Sequence, residues 1–253
     1  MRRADSPLVL HSGAWLIADA HYAHYQPSLY NFLNALKPQD LPPQIVLMGD
    51  IFDLLFPNAH NSIEPNRKMV DLLLRTSRLC EVIYLEGNHD FGLQEIFGSS
   101  MRIVRRRAQP LMATMANRNI ALHHGDIYQG IGYEIYTALI RNPWIDRALN
   151  LYDTYSGGKV IRWLESYNRR KNPCYRIDDF EKKVKRKMQR LTKRYRFDVW
   201  IEGHYHQDCA FDFKGVRYRN LPAWICSNKF MEIVEEEGDI AFVTKTMEKG
   251  SNV

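Results

Sequence analysis

Five short apolar runs in this chain each end in residues able to bind a metal ion, and that coincidence constrains the fold more than any other feature of the sequence. The runs span 14–18, 44–48, 82–85, 120–123 and 199–201. At or just past their ends stand Asp19 with His21, Asp50, Asn88 with His89, His124, and His204 with His206. Apolar runs of this length bounded by polar residues are the pattern of buried strands. Amphipathic stretches lie between them: 28–36, introduced by Pro27, and 66–80, where Met69, Leu72, Leu73 and Leu79 share a helix face. Strands alternating with helices imply an α/β sheet that carries its chemistry at the strand ends.

The length of 253 residues suits one domain, 1–253, with an insertion rather than two independent domains. No run approaches the roughly 18 apolar residues of a membrane span. The first fifteen residues lack the apolar core and cleavage site of a secretory leader, so the expected location is the cytoplasm. Cysteines 80, 174, 209 and 226 form no CxxC pair, which argues against a zinc knuckle or disulfide framework, and they are expected to be reduced thiols.

The net charge of +6 is unevenly spread: residues 131–196 hold 17 Lys and Arg against 7 Asp and Glu, and the remainder 18 against 22. The interval 130–196 also carries Tyr133, Ile135, Tyr136, Leu139, Trp144, Leu149, Tyr152, Trp163 and Leu164 at largely helical spacing. The expectation is a helical lid inserted over the mouth of the sheet, ending in a basic helix over 180–196. Its aromatics either pack on one another or line a groove for acyl chains, with the cations facing an anionic membrane surface. After His206 the pattern becomes β-rich, with strands expected around 211–213, 216–218, 224–225, 230–234 and 240–243, and turns at Gly215 and 235–238.

The residue types at the strand ends specify a kind of chemistry. Asp19 and His21, and again His204 and His206, are two apart, so an extended backbone aims each pair to one side. Glycines before Asp50, Asn88 and His204 permit sharp turns. A pair of divalent cations needs a bridging carboxylate together with imidazole, amide and carboxylate ligands, which is the set present here. His123 falls on the opposite face from His124 and is expected to be structural. Asp53 and Asp126 are candidates either to orient ligands or to cap turns.

The ordered series Asp19-Ala-His21, Gly49-Asp50, Gly87-Asn88-His89-Asp90, His124 and Gly203-His204-Tyr-His206 resembles the calcineurin-like metallophosphoesterase superfamily. That resemblance implies a four-layer α-β-β-α sandwich. It implies one metal held by Asp19, His21, Asp50 and His206, and a second by Asp50, Asn88, His124 and His204, with Asp50 bridging. His89 is then the group that protonates the leaving group or stabilises the transition state.

Further details resemble the UDP-2,3-diacylglucosamine pyrophosphatase family of lipid A synthesis: Asn88-His89-Asp90-Phe91, His124-Gly-Asp126, a helical insertion before the last histidine pair, and Leu221-Pro-Ala-Trp224. Members of that family typically carry Arg where this chain has His89. The implied reaction is metal-dependent, Mn²⁺-favoured cleavage of a lipid-linked nucleotide sugar to UMP and 2,3-diacylglucosamine 1-phosphate. The candidate substrate contacts are Asn88, His89, Asp126, Ser166, Asn168 and Lys171. The enzyme would work in the cytoplasm, peripheral to the inner membrane, with no obligatory nucleic acid. The competing expectations are a nuclease or nucleotide phosphodiesterase of the same fold, whose basic insert grips phosphates, and a non-catalytic module that recruits a partner.

Overall fold

The computed structural model describes residues 8–57, 59–127 and 129–247; the first seven residues of the N-terminal segment discussed above lie outside these. The strands are β1 (Leu8–Val9), β2 (Ala14–Ile17), β3 (Gln44–Leu47), β4 (Glu81–Leu85), β5 (Arg102–Val104), β6 (Leu111–Met115), β7 (Arg118–His123), β8 (Val199–Glu202), β9 (Cys209–Phe213), β10 (Val216–Asn220), β11 (Lys229–Glu236) and β12 (Asp239–Thr246). The helices are α1 (Ser28–Ala35), α2 (His60–Ile63), α3 (Arg67–Thr76), α4 (Gln94–Phe97), α5 (Ile131–Ile140), α6 (Pro143–Tyr155), α7 (Lys159–Arg170), α8 (Phe180–Leu191) and α9 (Trp224–Ser227).

The strands form two six-stranded mixed sheets, ordered β1-β6-β7-β8-β10-β9 and β12-β11-β2-β3-β4-β5. All four residues of β3 are buried, and so are the last four of β4, yet their side chains still alternate between layers. Val46, Met48, Ile83 and Leu85 face the other sheet, where they meet Ile120, Leu122, Val199 and Ile201. Ile45, Leu47, Val82 and Tyr84 face outward against Leu29 and Leu33 of α1 and Met69, Leu72 and Leu73 of α3. A strand buried on both faces reads as an unbroken apolar run, which is why these strands stood out in the sequence.

The outer face of the other sheet is covered by α8, whose Phe180, Val184, Met188 and Leu191 pack on Ala121, Trp200 and Tyr218. The order of layers is therefore helix, sheet, sheet, helix. The interval 130–196 accordingly divides: α5 to α7 precede the basic helix α8, which packs on the sheet and belongs to the sandwich. Its apolar residues fall at steps of four, four and three and require a sheet face, which leaves its cations on the solvent side.

One cation of α8 is an exception. Lys187 is buried, and its Nζ donates to Glu202 Oε2 at 2.7 Å and to the Gly125 carbonyl at 2.9 Å. Tyr218 Oη donates to the other oxygen of Glu202 at 2.8 Å. Glu202 and Gly125 adjoin the strand ends that bear His204 and His124, so this buried pair braces two loops that reach the site. His123 lies here as well, fully buried, its ring centroid 5.8 Å from that of Trp200.

Two local expectations are corrected. Residues 224–225 form part of the short helix α9 rather than a strand, because Trp224 turns inward and its Nε1 donates to Ser28 Oγ at 2.9 Å. Cysteines 174 and 226 are joined in a disulfide rather than reduced; Cys80 and Cys209 are free. The two bonded cysteines are 52 residues apart, and only the fold brings them together. No helix among the described residues is long and apolar enough to cross a membrane.

Burial raises the carboxyl pKa of Glu202, but Lys187 and His123 outweigh it and hold it down at about 2. Its unfolded value is higher, so the pair contributes stability that is complete above about pH 4.5 and is lost as pH falls toward 2. Lys187→Met strands the buried carboxylate and should lower the unfolding free energy by about 3–5 kcal/mol in urea melts at pH 7. Glu202→Gln should differ most from the wild type near neutrality and converge with it by about pH 2; a constant difference across that range would contradict the assignment.

Candidate metal centre

The site lies where the carboxyl ends of parallel strands from both sheets open onto one crevice, the usual ligand position in open α/β sheets. Asp19 and His21 follow β2, Asp50 follows β3, Asn88 follows β4, His124 follows β7, and His204 and His206 follow β8. Five of these seven residues have left-handed backbones: Asp19 at φ 52°, His21 at 45°, Asp50 at 51°, His204 at 65° and His206 at 57°. Such conformations cost about 1 kcal/mol or more each outside glycine and persist only where surrounding bonds enforce them.

Those enforcing bonds are present. Asp19 N–H donates to the Gly49 carbonyl, His21 N–H to Asp50, and Tyr22 N–H to Ile51, at 3.2, 3.0 and 2.7 Å, which locks the first loop to the second. Asp90 clamps the second loop to the third: its carboxylate accepts N–H bonds from Asp50, Ile51, Phe52 and Gly87 and the Tyr84 hydroxyl. At Gly87 a Cβ would overlap Asp50 Oδ1, and at Gly49 it would lie 2.5 Å from His124 Nδ1, so only glycine admits the ligands this closely.

The ligand-type atoms gather in three groups, each within 4.8 Å: Asp19, His21 and His206; Asp50, His124 and His204; and His21, Asp53 and His89. Asn88 Oδ1 joins the second group, 3.3 Å from His124 Nε2. The histidines are oriented from behind. Nδ1–H of His124 donates to the Met48 carbonyl at 2.9 Å, that of His206 to Pro173 at 2.6 Å, and that of His89 to Asp53 at 2.8 Å. His21 Nδ1 lies 3.4 Å from Asp53 Oδ1. Tying Nδ1 in this way leaves Nε2 as the free ring nitrogen, the arrangement found behind metal-bound imidazoles.

The electrostatics call for a cation. Burial opposes ionisation of Asp19 and Asp50, yet neighbouring histidines, His206 for the first and His124 for the second, hold both carboxyls below the usual range. Burial should strip the His124 proton, but Asp50, Asp126 and Asp19 push its pKa up to about 10. His204, by contrast, is pressed down to about 3 by burial and by His124. A proton on His124 thus compensates charge that a metal ion would otherwise balance. His21 Nε2 is buried with no protein partner, an orphaned ligand atom aimed into the same space. Carboxylate, imidazole and amide donors so arranged fit divalent cations.

A cavity of about 570 Å³ opens over this centre, lined by His21, Asp50, Asp53, Asn88, His89, His204 and His206 on the sheet side. Asn168, Lys171, Asn172, Pro173 and Tyr175, at and beyond the end of α7, form the opposite wall. Of the candidate substrate contacts, Asn88, His89, Asn168 and Lys171 line this cavity. Two do not. Asp126 is buried and accepts from Arg106 Nε at 2.7 Å, while Ser166 is turned along α7 toward Arg170.

Asp53 ties the lid to the centre: one oxygen accepts from Tyr25 Oη at 2.9 Å and the other from Asn168 Nδ2 at 3.2 Å. Ile161 and Leu164 anchor α7 on Leu54 and Phe56. Sequence reasoning passed over Arg141, just beyond α5, which donates to the Gly87 carbonyl and lies 5.0 Å above the Phe91 ring. Its Nε and Nη1 are buried and have no partner among the described residues. No motif marks it, since a lone arginine at a helix end carries no signal.

Fold and site together define a metal-dependent phosphoesterase. The chain belongs to the calcineurin-like phosphoesterase family, whose sequence profile it matches over residues 14–208. It is 21% identical over 206 residues to the UDP-2,3-diacylglucosamine hydrolases of Salmonella arizonae and Salmonella paratyphi B, covering 78% of this chain and 82% of each relative. Among solved structures, the solution structure of a Thermotoga maritima protein superposes with a TM-score of 0.45 at 16% identity, covering 92% of this chain and 98% of the other.

Asp90→Asn would turn an amide donor toward the backbone donors that now converge on the carboxylate, leaving at least one buried N–H without an acceptor. The variant should unfold with about 3 kcal/mol less free energy in urea melts and lose divalent-metal retention on gel filtration. Unchanged stability would show that the clamp is dispensable.

Proposed function

We propose that this chain hydrolyses the pyrophosphate of UDP-2,3-diacylglucosamine to UMP and 2,3-diacylglucosamine 1-phosphate, working at an anionic membrane surface. The observation that carries this reading is the face of α5–α7. Among the described residues fifteen large apolar side chains are exposed, and eleven of them lie on these three helices. They include Ile131, Trp144, Tyr155 and Trp163 at 82, 76, 85 and 64% exposure. Trp163 and Tyr167 stack on each other with ring centroids 5.8 Å apart, and Tyr136 meets Tyr133, yet all eleven side chains stay exposed, so the lid presents an apolar surface beside the cavity. Such a patch marks an interaction site, and its chemistry suits acyl chains. The Salmonella relatives, as UDP-2,3-diacylglucosamine hydrolases, support a lipid-linked substrate.

In this reading Asp19, His21, Asp50 and His206 hold one divalent cation and Asp50, Asn88, His124 and His204 a second, both Mn²⁺ by preference. Bound there, the cations supply a water of lowered pKa and neutralise charge on the phosphoryl group. Asp50, whose Oδ2 lies 3.4 Å from His124 Nε2, would be the ligand shared by the two. His89 faces the leaving group with Nε2, because its Nδ1–H is committed to the Asp53 carbonyl. In that tautomer a neutral ring has only a lone pair at Nε2, so a proton must reach it before it can protonate a leaving oxygen. Burial lowers the His89 pKa, and the Asp53 carboxylate, 3.8 Å from Nδ1, works against that by favouring the imidazolium. Lys171 and Asn168 close the cavity from the lid side and offer donors to the substrate phosphates.

The test is UMP release from UDP-2,3-diacylglucosamine in phospholipid vesicles with Mn²⁺, with Asp50→Asn as the blank. Release should require the metal, vanish in the blank, and fall at least tenfold in kcat/KM for the pair Trp144→Glu and Trp163→Glu. The same pair should hydrolyse a soluble aryl phosphodiester at the wild-type rate. An inert lipid substrate alongside a cleaved diester would overturn the substrate and leave the phosphoesterase standing.

A further inference from the structure

The Cys174–Cys226 disulfide, which no local motif announces, lies against the metal centre. Cys174 sits in the loop that leaves α7, Cys226 in α9, and both residues are exposed. Each cysteine adjoins a group that holds a ligand of the same metal. On one side, the Pro173 carbonyl accepts from His206 Nδ1 at 2.6 Å and so orients the ring. On the other, Ile225 N–H donates to the Asp19 carbonyl at 3.1 Å, and Trp224 N–H to Ala18 at 2.9 Å. His206 Nε2 and Asp19 Oδ1 lie 3.4 Å apart between these two supports. The bridge therefore closes a ring around one pair of ligands.

Little else holds the first support. Cys174 N–H bonds within its own turn, to Asn172 Oδ1. From Tyr175 onward the loop is secured by Gln207, which donates to the Tyr175 carbonyl at 3.0 Å and accepts from Ile177 N–H at 2.9 Å. For residues 172–174, the hydrogen-bonded or covalent ties beyond that turn, among the described residues, are the bond from His206 to Pro173 and the disulfide itself.

We propose that Cys174–Cys226 is a redox-modifiable site that sets metal affinity at Asp19 and His206. With the disulfide intact, Pro173 is held against the His206 ring and Nε2 stays aimed at the cation. A dithiol reductant opens it in two steps. One thiolate of the reductant attacks an exposed sulfur, the S–S bond breaks, and the other cysteine leaves as a thiolate that takes up a proton. The reductant's second thiol then displaces the mixed disulfide, so two electrons pass to the cysteine pair and the reductant ends as a disulfide. The loop is then free to withdraw the carbonyl from His206. Removing a partner behind a metal-bound imidazole typically costs about 10–100-fold in affinity.

The experiment is a titration of Mn²⁺ alone, read by the spin-resonance signal of free Mn²⁺, with thiols counted in parallel. It compares oxidised protein, protein reduced with an alkyl phosphine that is then removed, and the Cys174→Ser, Cys226→Ser double variant under both conditions. Reduction should release two additional thiols and weaken one class of Mn²⁺ site by about tenfold or more, leaving the other class in place. The double variant should bind like the reduced protein whether or not it is treated. Equal affinities for oxidised and reduced protein, equal weakening of every site, a redox response that survives in the double variant, or four free thiols in air-purified protein would each overturn the proposal. No substrate enters the assay, so its result is independent of the assignment to a lipid-linked nucleotide.

Discussion

Burying two carboxylates, Asp19 and Asp50, within electrostatic reach of one another is the constraint on which the rest of the structure depends. Neither side chain meets solvent appreciably, and a buried charge without compensation is costly enough to unfold a domain. The fold meets that cost by surrounding them with histidines, so that protons stand in where cations bind. His124 is driven up to about 10 by those carboxylates, while His204 close by is driven down to about 3. Metal binding would release the proton that His124 holds, which couples loading of the site to pH. The deep burial of the centre follows from the same logic, since charge attraction is strongest where water is excluded.

Placing the ligands that closely demands an unusual backbone. Successive strand exits turn into left-handed conformations at Asp19, His21, Asp50, His204 and His206, and the backbone N–H groups of the first four donate to a neighbouring exit, while the His206 ring is tied to Pro173. Asp90 secures the second and third exits, and the Lys187–Glu202 pair braces the fourth and fifth from behind the sheet. Strain at the site is therefore carried by both sheets, and helix α8, far from decorative, reaches the ligand loops through one buried amine.

What could be read in advance follows from the range of the interactions involved. The five central strands, α1 and α3 were legible because strands buried on two faces and helices buried on one leave a local pattern. The strand-end ligands were legible because the residue types and their order are specific. Strands β5 and β6 were passed over, since Arg102–Val104 is short and Leu111–Met115 alternates only weakly. The interval 180–196 reads as part of the insertion because its nine cations hide the buried stripe of Phe180, Val184, Met188 and Leu191 on α8. The pairing of Cys174 with Cys226, the exclusion of Asp126 and Ser166 from the cavity, and the placement of Arg141 over Phe91 all rest on contacts between distant segments. Nothing local encodes them.

The central claim is that these strand ends form a single metal centre with Asp50 in its middle. The direct measurement is an anomalous difference map from crystals soaked in Mn²⁺, collected above and below the manganese edge. The account predicts two peaks, one among Asp19, His21 and His206 and one among Asn88, His124 and His204, each within bonding distance of an Asp50 oxygen. A single peak, or peaks that leave Asp50 without a metal contact, would contradict it.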